Sequence, residues 1–158
     1  MAVDLLLCFA TELEGALLRE RFDVADPSVA VVRTGVGAVN AAHAITLFLA
    51  RTGAHAVVVC GVGGAYPASG LRVGDVVCAE TECYGDLCAT SPSGFLDMKA
   101  LGFPVVEAPV PLFNELPMQL FPVQRRARFV TVTSCTGTDG AARVIEAAQP
   151  RAVFVVCD

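Results

Sequence analysis

Charge is scarce in this sequence. Only 17% of its 158 residues are Asp, Glu, Lys or Arg, and 54% are hydrophobic. That balance excludes intrinsic disorder, which needs low hydrophobicity and high charge. Basic clusters are lacking as well. The net charge is −5 with a pI of about 4.9, and RRAR at 125–128 is too short to form a phosphate-binding surface. Nucleic acid is therefore not an expected partner. Membrane-length apolar runs are also missing, despite a mean hydropathy of +0.61. The longest uncharged stretches are GVGAVNAAHAITLFLA at 35–50 and AVVVCGVGGAYPASGL at 56–71. Both fall short of the ~20 residues that span a bilayer. Asn40 and His43 interrupt the first; glycines and Pro67 break the second. No membrane partner is expected. Deeply buried strands or a large subunit interface account better for the apolar surplus. The opening MAVDLLLCFATE places Asp4 where a secretory leader needs positive charge, so the chain reads as cytoplasmic.

Several chemical signatures are absent. The seven cysteines, at 8, 60, 78, 83, 88, 135 and 157, are odd in number and mostly sit in apolar runs. They read as reduced, small hydrophobes. Cys83 and Cys88 form the only close pair, and no second pair or nearby histidine completes a tetrahedral metal set. No metal or cofactor is expected. There is no G-K-[ST], hence no P-loop. Gly35-x-Gly37 opens a helix but lacks the third glycine of a dinucleotide fingerprint, and no acidic residue follows ~20 positions later in the right context.

What is present alternates. Residues 3–9 (VDLLLCF) form a nearly continuous apolar run, read as a central strand buried on both faces. Residues 12–21, with Leu13, Leu17 and Leu18 at helical spacing, read as a helix. Strands are then expected at 28–33, 56–60, 74–83, 129–134 and 152–157, and helices at 38–51 and 139–148, the last capped by Asp139. The Pro-, Gly- and Ser-rich segment 84–127 reads as a functional excursion or mobile lid. This order predicts an α/β fold, a three-layer sandwich around a central, mostly parallel mixed sheet in one domain, 1–158. Ligands of such sheets bind beyond the carboxyl ends of the strands. Those ends carry CFATELEG, RTGVGAVN, CGVGGAY and TSCTGTDG.

Each turn has two readings. Glu12 and Glu14 suit a helix start, with Thr11 as N-cap and Glu14 completing a capping box. Equally, one of them can point into a cleft as acid or base. TSCTGTDG offers hydroxyls and backbone to a heterocyclic or hydroxyl-rich ligand, or is an ordinary capped loop.

Taken in order, the T-E-x-E turn, TGVGAVNAA and GVGGAYPASGLRVGDVVCAETECYGDLC resemble the nucleoside phosphorylase/hydrolase superfamily, in its nucleosidase branch. The resemblance covers essentially the whole chain. ATELEG, TGVGAVNAA and TVTSCTGTD are more similar to futalosine hydrolases than to methylthioadenosine/S-adenosylhomocysteine nucleosidases. It implies that Glu14 holds and activates the attacking water, with Ala10 and Thr11 on the ribose side. It places Val62, Gly63 and Gly64 beside the nucleoside, and Cys135, Thr136, Gly137 and Thr138 at the base. A carboxylate facing an oxocarbenium-like sugar fits N-glycoside hydrolysis. A phosphorylase would need a cationic site, and these turns offer only Arg33. The implied activity is therefore hydrolysis of a purine nucleoside, futalosine first and methylthioadenosine or S-adenosylhomocysteine second. A non-catalytic nucleoside-binding remnant is the alternative from another class. The implied assembly is a homo-oligomer, by preference a dimer.

The resemblance has one departure. Members carry a Met-Glu segment for the ribose hydroxyls and a later Ser-Asp pair that protonates the purine. Neither occurs here, and VVCD, ending in Asp158, is not the first of them. The sequence therefore reads as lacking the C-terminal part of the fold. A lost general acid costs ~10²–10⁴-fold, so poor binding or inactivity is expected of the chain.

Overall fold

The computed structural model of the protein describes residues 2–22, 26–92, 94–107, 109–119, 122, 125–148 and the backbone of 152–156. The chain divides into two compact units, with the boundary in sequence after Val62. Its α/β character agrees with the expectation from alternating apolar runs.

The first unit is built on β1 (Val3–Phe9), the central strand, whose carboxyl half from Leu6 to Phe9 is buried. Strands β2 (Val29–Arg33) and β3 (Ala54–Val59) flank it in the order β2-β1-β3, all parallel. Leu6 stands opposite Ala30 on one side and Val57 on the other. Leu6, Cys8 and Phe9 are fully buried. Helix α1 (Glu12–Phe22) follows β1, and Gly15 lies directly on the Phe9 ring. Leu13 and Leu17 face outward, 94% and 78% exposed, so the helix seats itself through its glycine rather than its leucine stripe. Helix α2 (Ala38–Arg51) starts at Gly37, whose φ of 101° suits glycine. Backbone bonds from Thr34 to the Phe9 carbonyl and from Cys60 to the Cys8 carbonyl, both 2.9 Å, hold the three turns together at the carboxyl end of the sheet.

The second unit contains a five-stranded mixed sheet. Its strands are β4 (Gly64–Ala65), β5 (Cys78–Tyr84), β8 (Glu115–Pro117), β9 (Arg126–Thr131) and β10 (Ala152–Val156), with β6 (Cys88–Ser91) and β7 (Gly94–Asp97) forming a separate hairpin. The order is β4-β10-β9-β5-β8; β9 runs parallel to both neighbours and the outer strands are antiparallel. Tyr66, Cys83, Val130 and Val132 make the core, packed against Ala142 and Ile145 of helix α4 (Asp139–Ala148).

Three expectations need correction. GDVV at 74–77 is not strand: Gly74 adopts φ 93° and the Asp75 carboxylate accepts from the Arg72 amide, closing a turn, so β5 begins at Cys78. The strand expected at 129–134 begins at Arg126, because Arg126–Arg128 pair with β5 and β10 despite their charge. Segment 84–127 holds regular pieces: the β6–β7 hairpin, helix α3 (Met98–Leu101) and edge strand β8. Among the described residues no helix is long and apolar enough to cross a membrane.

Candidate active site

The first turn resolves its two glutamates. Glu14 Oε2 accepts from both the amide and the hydroxyl of Thr11, each at 2.8 Å. Glu14 Oε1 accepts from the Val62 amide at 3.1 Å, joining the first turn of α1 to the turn that follows β3. Burial pushes the Glu14 carboxyl upward, but the donors from Val62 and Thr11 outweigh it and hold it below the usual carboxylate range. Glu14 is thus ionised at neutral pH, a half-buried anion at the carboxyl end of the parallel sheet. Glu12 points elsewhere, toward Arg19 at 3.5 Å and Arg33 at 3.7 Å.

Gly61 makes this geometry possible. A Cβ there would stand 2.7 Å from Glu14 Oε1. Sequence reasoning assigned the close approach to Gly63 and Gly64; Gly61 was the glycine it missed. The available signal was its position immediately after the last residue facing the β1 terminus. Ala10 is buried beside Phe9, and Val62 gives its amide to Glu14 while its side chain is 78% exposed. The thiols nearby are not nucleophiles. Burial, reinforced by Cys60, pushes Cys8 up to about 11, and burial followed by the Glu14 charge raises Cys60.

In the second unit, Gly64 lies in β4 opposite Val155. Thr136 is half-buried, and its hydroxyl lies 3.4 Å from that of Tyr66. Cys135 is exposed. A side chain at Gly137 would meet open space, so sterics do not demand glycine there. Thr138 caps α4: its hydroxyl accepts from the Ala141 amide at 3.2 Å and its carbonyl from Ala142 at 3.0 Å. This corrects the expected cap, Asp139, which is the first helical residue. The turn before this loop is anchored by Asp86, which accepts from the Thr133 amide at 2.6 Å. A cavity of about 750 Å³ in this unit is lined by Tyr84, Phe95, Phe113, Lys99 and Arg128 among others, from the excursion, β9 and the end of α4. Among the described residues no group of three His, Cys, Asp or Glu could hold a metal. Cys157 and Asp158 lie outside the described residues.

The model of the phosphorylase superfamily matches residues 14–154. The chain belongs to the phosphorylase superfamily. No curated protein matches it in sequence. Among solved structures it is similar to the 5'-methylthioadenosine/S-adenosylhomocysteine nucleosidase of Neisseria meningitidis in complex with methylthio-immucillin-A, at 19% identity and TM-score 0.75, over 98% of this chain and 75% of that one. It is similar to the S-adenosylhomocysteine nucleosidase of Streptococcus pyogenes in complex with 5-methylthiotubericidin, at 22% identity and TM-score 0.74, over 99% and 74%. The corresponding enzyme of Colwellia psychrerythraea 34H, in complex with adenine, gives 20% identity and TM-score 0.73, over 99% and 73%. At these identities the likeness establishes the fold. This superfamily member thus shares the nucleosidase fold expected from its turns.

Proposed function

We propose that the chain is an N-ribohydrolase that splits a purine nucleoside with water, and that its substrate is futalosine, released as hypoxanthine and dehypoxanthine futalosine. The carrying observation is Glu14, an ionised carboxylate fixed by three donors where a parallel α/β sheet presents its ligands. In this reaction the glycosidic C–N bond breaks with its electron pair leaving on the base. Water oxygen bonds to the anomeric carbon, its proton passes to the Glu14 carboxylate, and the departing base, without the Ser-Asp acid, takes its proton from solvent water. A carboxylate of low pKa is a weak base. It faces the developing sugar cation as a charge, and accepts the proton once the water has bonded to that carbon and become acidic.

Water is favoured over phosphate because the only arginine of these turns, Arg33, is paired with Glu12. The nucleoside-binding assignments of Ala10, Val62, Gly63, Gly64, Cys135, Thr136, Gly137 and Thr138 belong to the same proposal; Thr11, expected on the ribose side, gives its amide and hydroxyl to Glu14. A second reading, methylthioadenosine/S-adenosylhomocysteine nucleosidase, is favoured by the solved neighbours named above. The exposed apolar residues Leu13, Leu17, Val39 and Leu47 on α1 and α2 support a homo-oligomer; a monodisperse monomer in light scattering would refute it.

Chromatography of free base tests the reaction. Futalosine should yield hypoxanthine slowly, at the ~10²–10⁴-fold lower rate that a missing general acid leaves, unchanged by phosphate and lost in Glu14→Gln. Adenine from methylthioadenosine would select the second reading. Phosphate-dependent release, or neither release nor nucleoside binding, would sink the hydrolase reading.

A further inference from the structure

We propose that Thr11 is a positioning residue that assigns different tasks to the two oxygens of Glu14: it closes Oε2 and leaves Oε1 to take the water. This rests on the hydrolase reading above. Each carboxylate oxygen offers about two acceptor sites. Oε2 receives two donors, the Thr11 amide and hydroxyl, both at 2.8 Å, and is filled. Oε1 receives one, from Val62 at 3.1 Å, and retains one site. The glycine side of the carboxylate belongs to the same oxygen: the absent Gly61 Cβ lies 2.7 Å from Oε1 and 4.0 Å from Oε2.

A helix cap does not account for this arrangement. In a capping box the threonine hydroxyl accepts from the third helical amide. Here the Glu14 and Gly15 amides both donate to the Thr11 carbonyl, at 3.2 Å. The hydroxyl instead donates its proton to the carboxylate. The capping half of the motif is made by the amide alone, so the hydroxyl bond is additional. The titratable neighbour from another element is Cys60, at the end of β3, which is raised and neutral at physiological pH. Glu12, on the same helix, is turned to Arg19 and Arg33. No Lys or Arg pairs with Glu14 among the described residues, which leaves its state to the Thr11 and Val62 donors.

The test titrates the Glu14 side-chain carboxyl by ¹³C NMR in the full chain, without substrate, in wild type, Thr11→Ser and Thr11→Val. Glu14→Gln identifies the resonance. The valine variant, which keeps shape and amide, should titrate at higher pH; the serine variant should follow wild type. With the cleaved nucleoside, Thr11→Val should lose on the order of 10²-fold in kcat, as misplaced catalytic groups do. KM should hold, and the acidic limb of the rate profile should move to higher pH. An unmoved Glu14 titration overturns the proposal whatever the activity. A raised KM with kcat intact overturns it too, since Thr11 would then be binding substrate. Should Thr11→Val fail to fold, Thr11→Ala carries the same comparison, its folding confirmed by thermal melting. Absence of turnover in wild type sinks the hydrolase reading; the substrate-free titration still decides whether Thr11 controls Glu14.

Discussion

Gly61→Ala isolates the contact on which the first-unit site depends. The added Cβ would sit 2.7 Å from Glu14 Oε1, whereas ordinary contact begins at 3.4 Å, so the carboxylate must retreat by about 0.7 Å. It is the far end of a flexible side chain, so retreat itself is cheap. The 3.1 Å bond from Val62 does not survive a displacement of that size. A hydrogen bond to a charged group contributes about 1.5–3 kcal/mol, and a half-buried carboxylate recovers part of that from water. Gly61 has no positive φ, so alanine also restricts the unfolded chain and returns ~0.4–1 kcal/mol. The net loss should be about 1 kcal/mol, roughly 2–4 °C in Tm for a chain of this size. Urea unfolding of Gly61→Ala in wild type and in Glu14→Ala supplies the assay. Without the carboxylate, the glycine substitution should become neutral or stabilising, a coupling of ~1 kcal/mol or more. The pH dependence has a definite sign. The folded carboxyl titrates below its ordinary range, so its contribution is present above the unfolded pKa and fades as pH falls through the folded one. The cost of Gly61→Ala should shrink over that acid window. Equal costs in both backgrounds, or a cost independent of pH, would show that the glycine serves something other than Glu14.

Three further outcomes can be checked directly. Gly15→Ala places a Cβ 2.1 Å from the fully buried Phe9 ring, which has no room to swing, and should cost ~1–3 kcal/mol by thermal unfolding; an unchanged Tm would refute the packing. Asp86→Ala removes the 2.6 Å acceptor of the Thr133 amide, a bond of ~1.5–3 kcal/mol. Exchange of that amide should therefore quicken about tenfold or more, and unaltered exchange would count against the anchor. Iodoacetamide at pH 8 should modify exposed Cys135 well before Cys8 or Cys83, both buried with thiols pushed up to about 11. Equal labelling by mass spectrometry would contradict that burial.

The legible parts of the fold are those where one periodicity holds without competition. The 3–9 run is apolar but for Asp4 and is buried from Leu6 to Phe9, and β1 emerges with the bounds read from the sequence. Helices at 38–51 and 139–148 do as well. Boundaries failed where a side chain had a local partner that pattern cannot show, as with Asp75 at its turn. The hairpin at 88–97 has four-residue strands, too short to display alternation. Arg126 and Arg128 hid the start of β9 because charge argues against a strand unless a carboxylate is near; Glu115 lies 3.1 Å from Arg128. Glu14 was legible as a candidate from composition and position. Its partner Val62 lies 48 residues on, and Gly61 acquires meaning only once that contact exists.

The two glutamates of the first turn then predict opposite consequences for the same conservative change. Residues two apart on a helix point to nearly opposite sides. Glu12 accordingly meets Arg19 and Arg33 in exposed pairs at 3.5 and 3.7 Å, and Glu12→Gln should alter stability by no more than ~1 kcal/mol, less at high salt. Glu14 meets three donors and, among the described residues, no cation. Glutamine supplies one oxygen and one NH₂ where two acceptor oxygens stood. With the NH₂ at the Oε1 place, the Val62 amide faces a donor. With it at the Oε2 place, the Thr11 hydroxyl can rotate to accept, but the Thr11 amide cannot. Either orientation strands one backbone N–H, at ~1–3 kcal/mol. Glu14→Gln should therefore unfold at lower urea concentration than Glu12→Gln at pH 7. The gap should close in acid, where protonation puts an O–H into wild-type Glu14 itself. Equal midpoints at pH 7 would mean that the three bonds do not converge on Glu14 in solution, and the site built on them would fall.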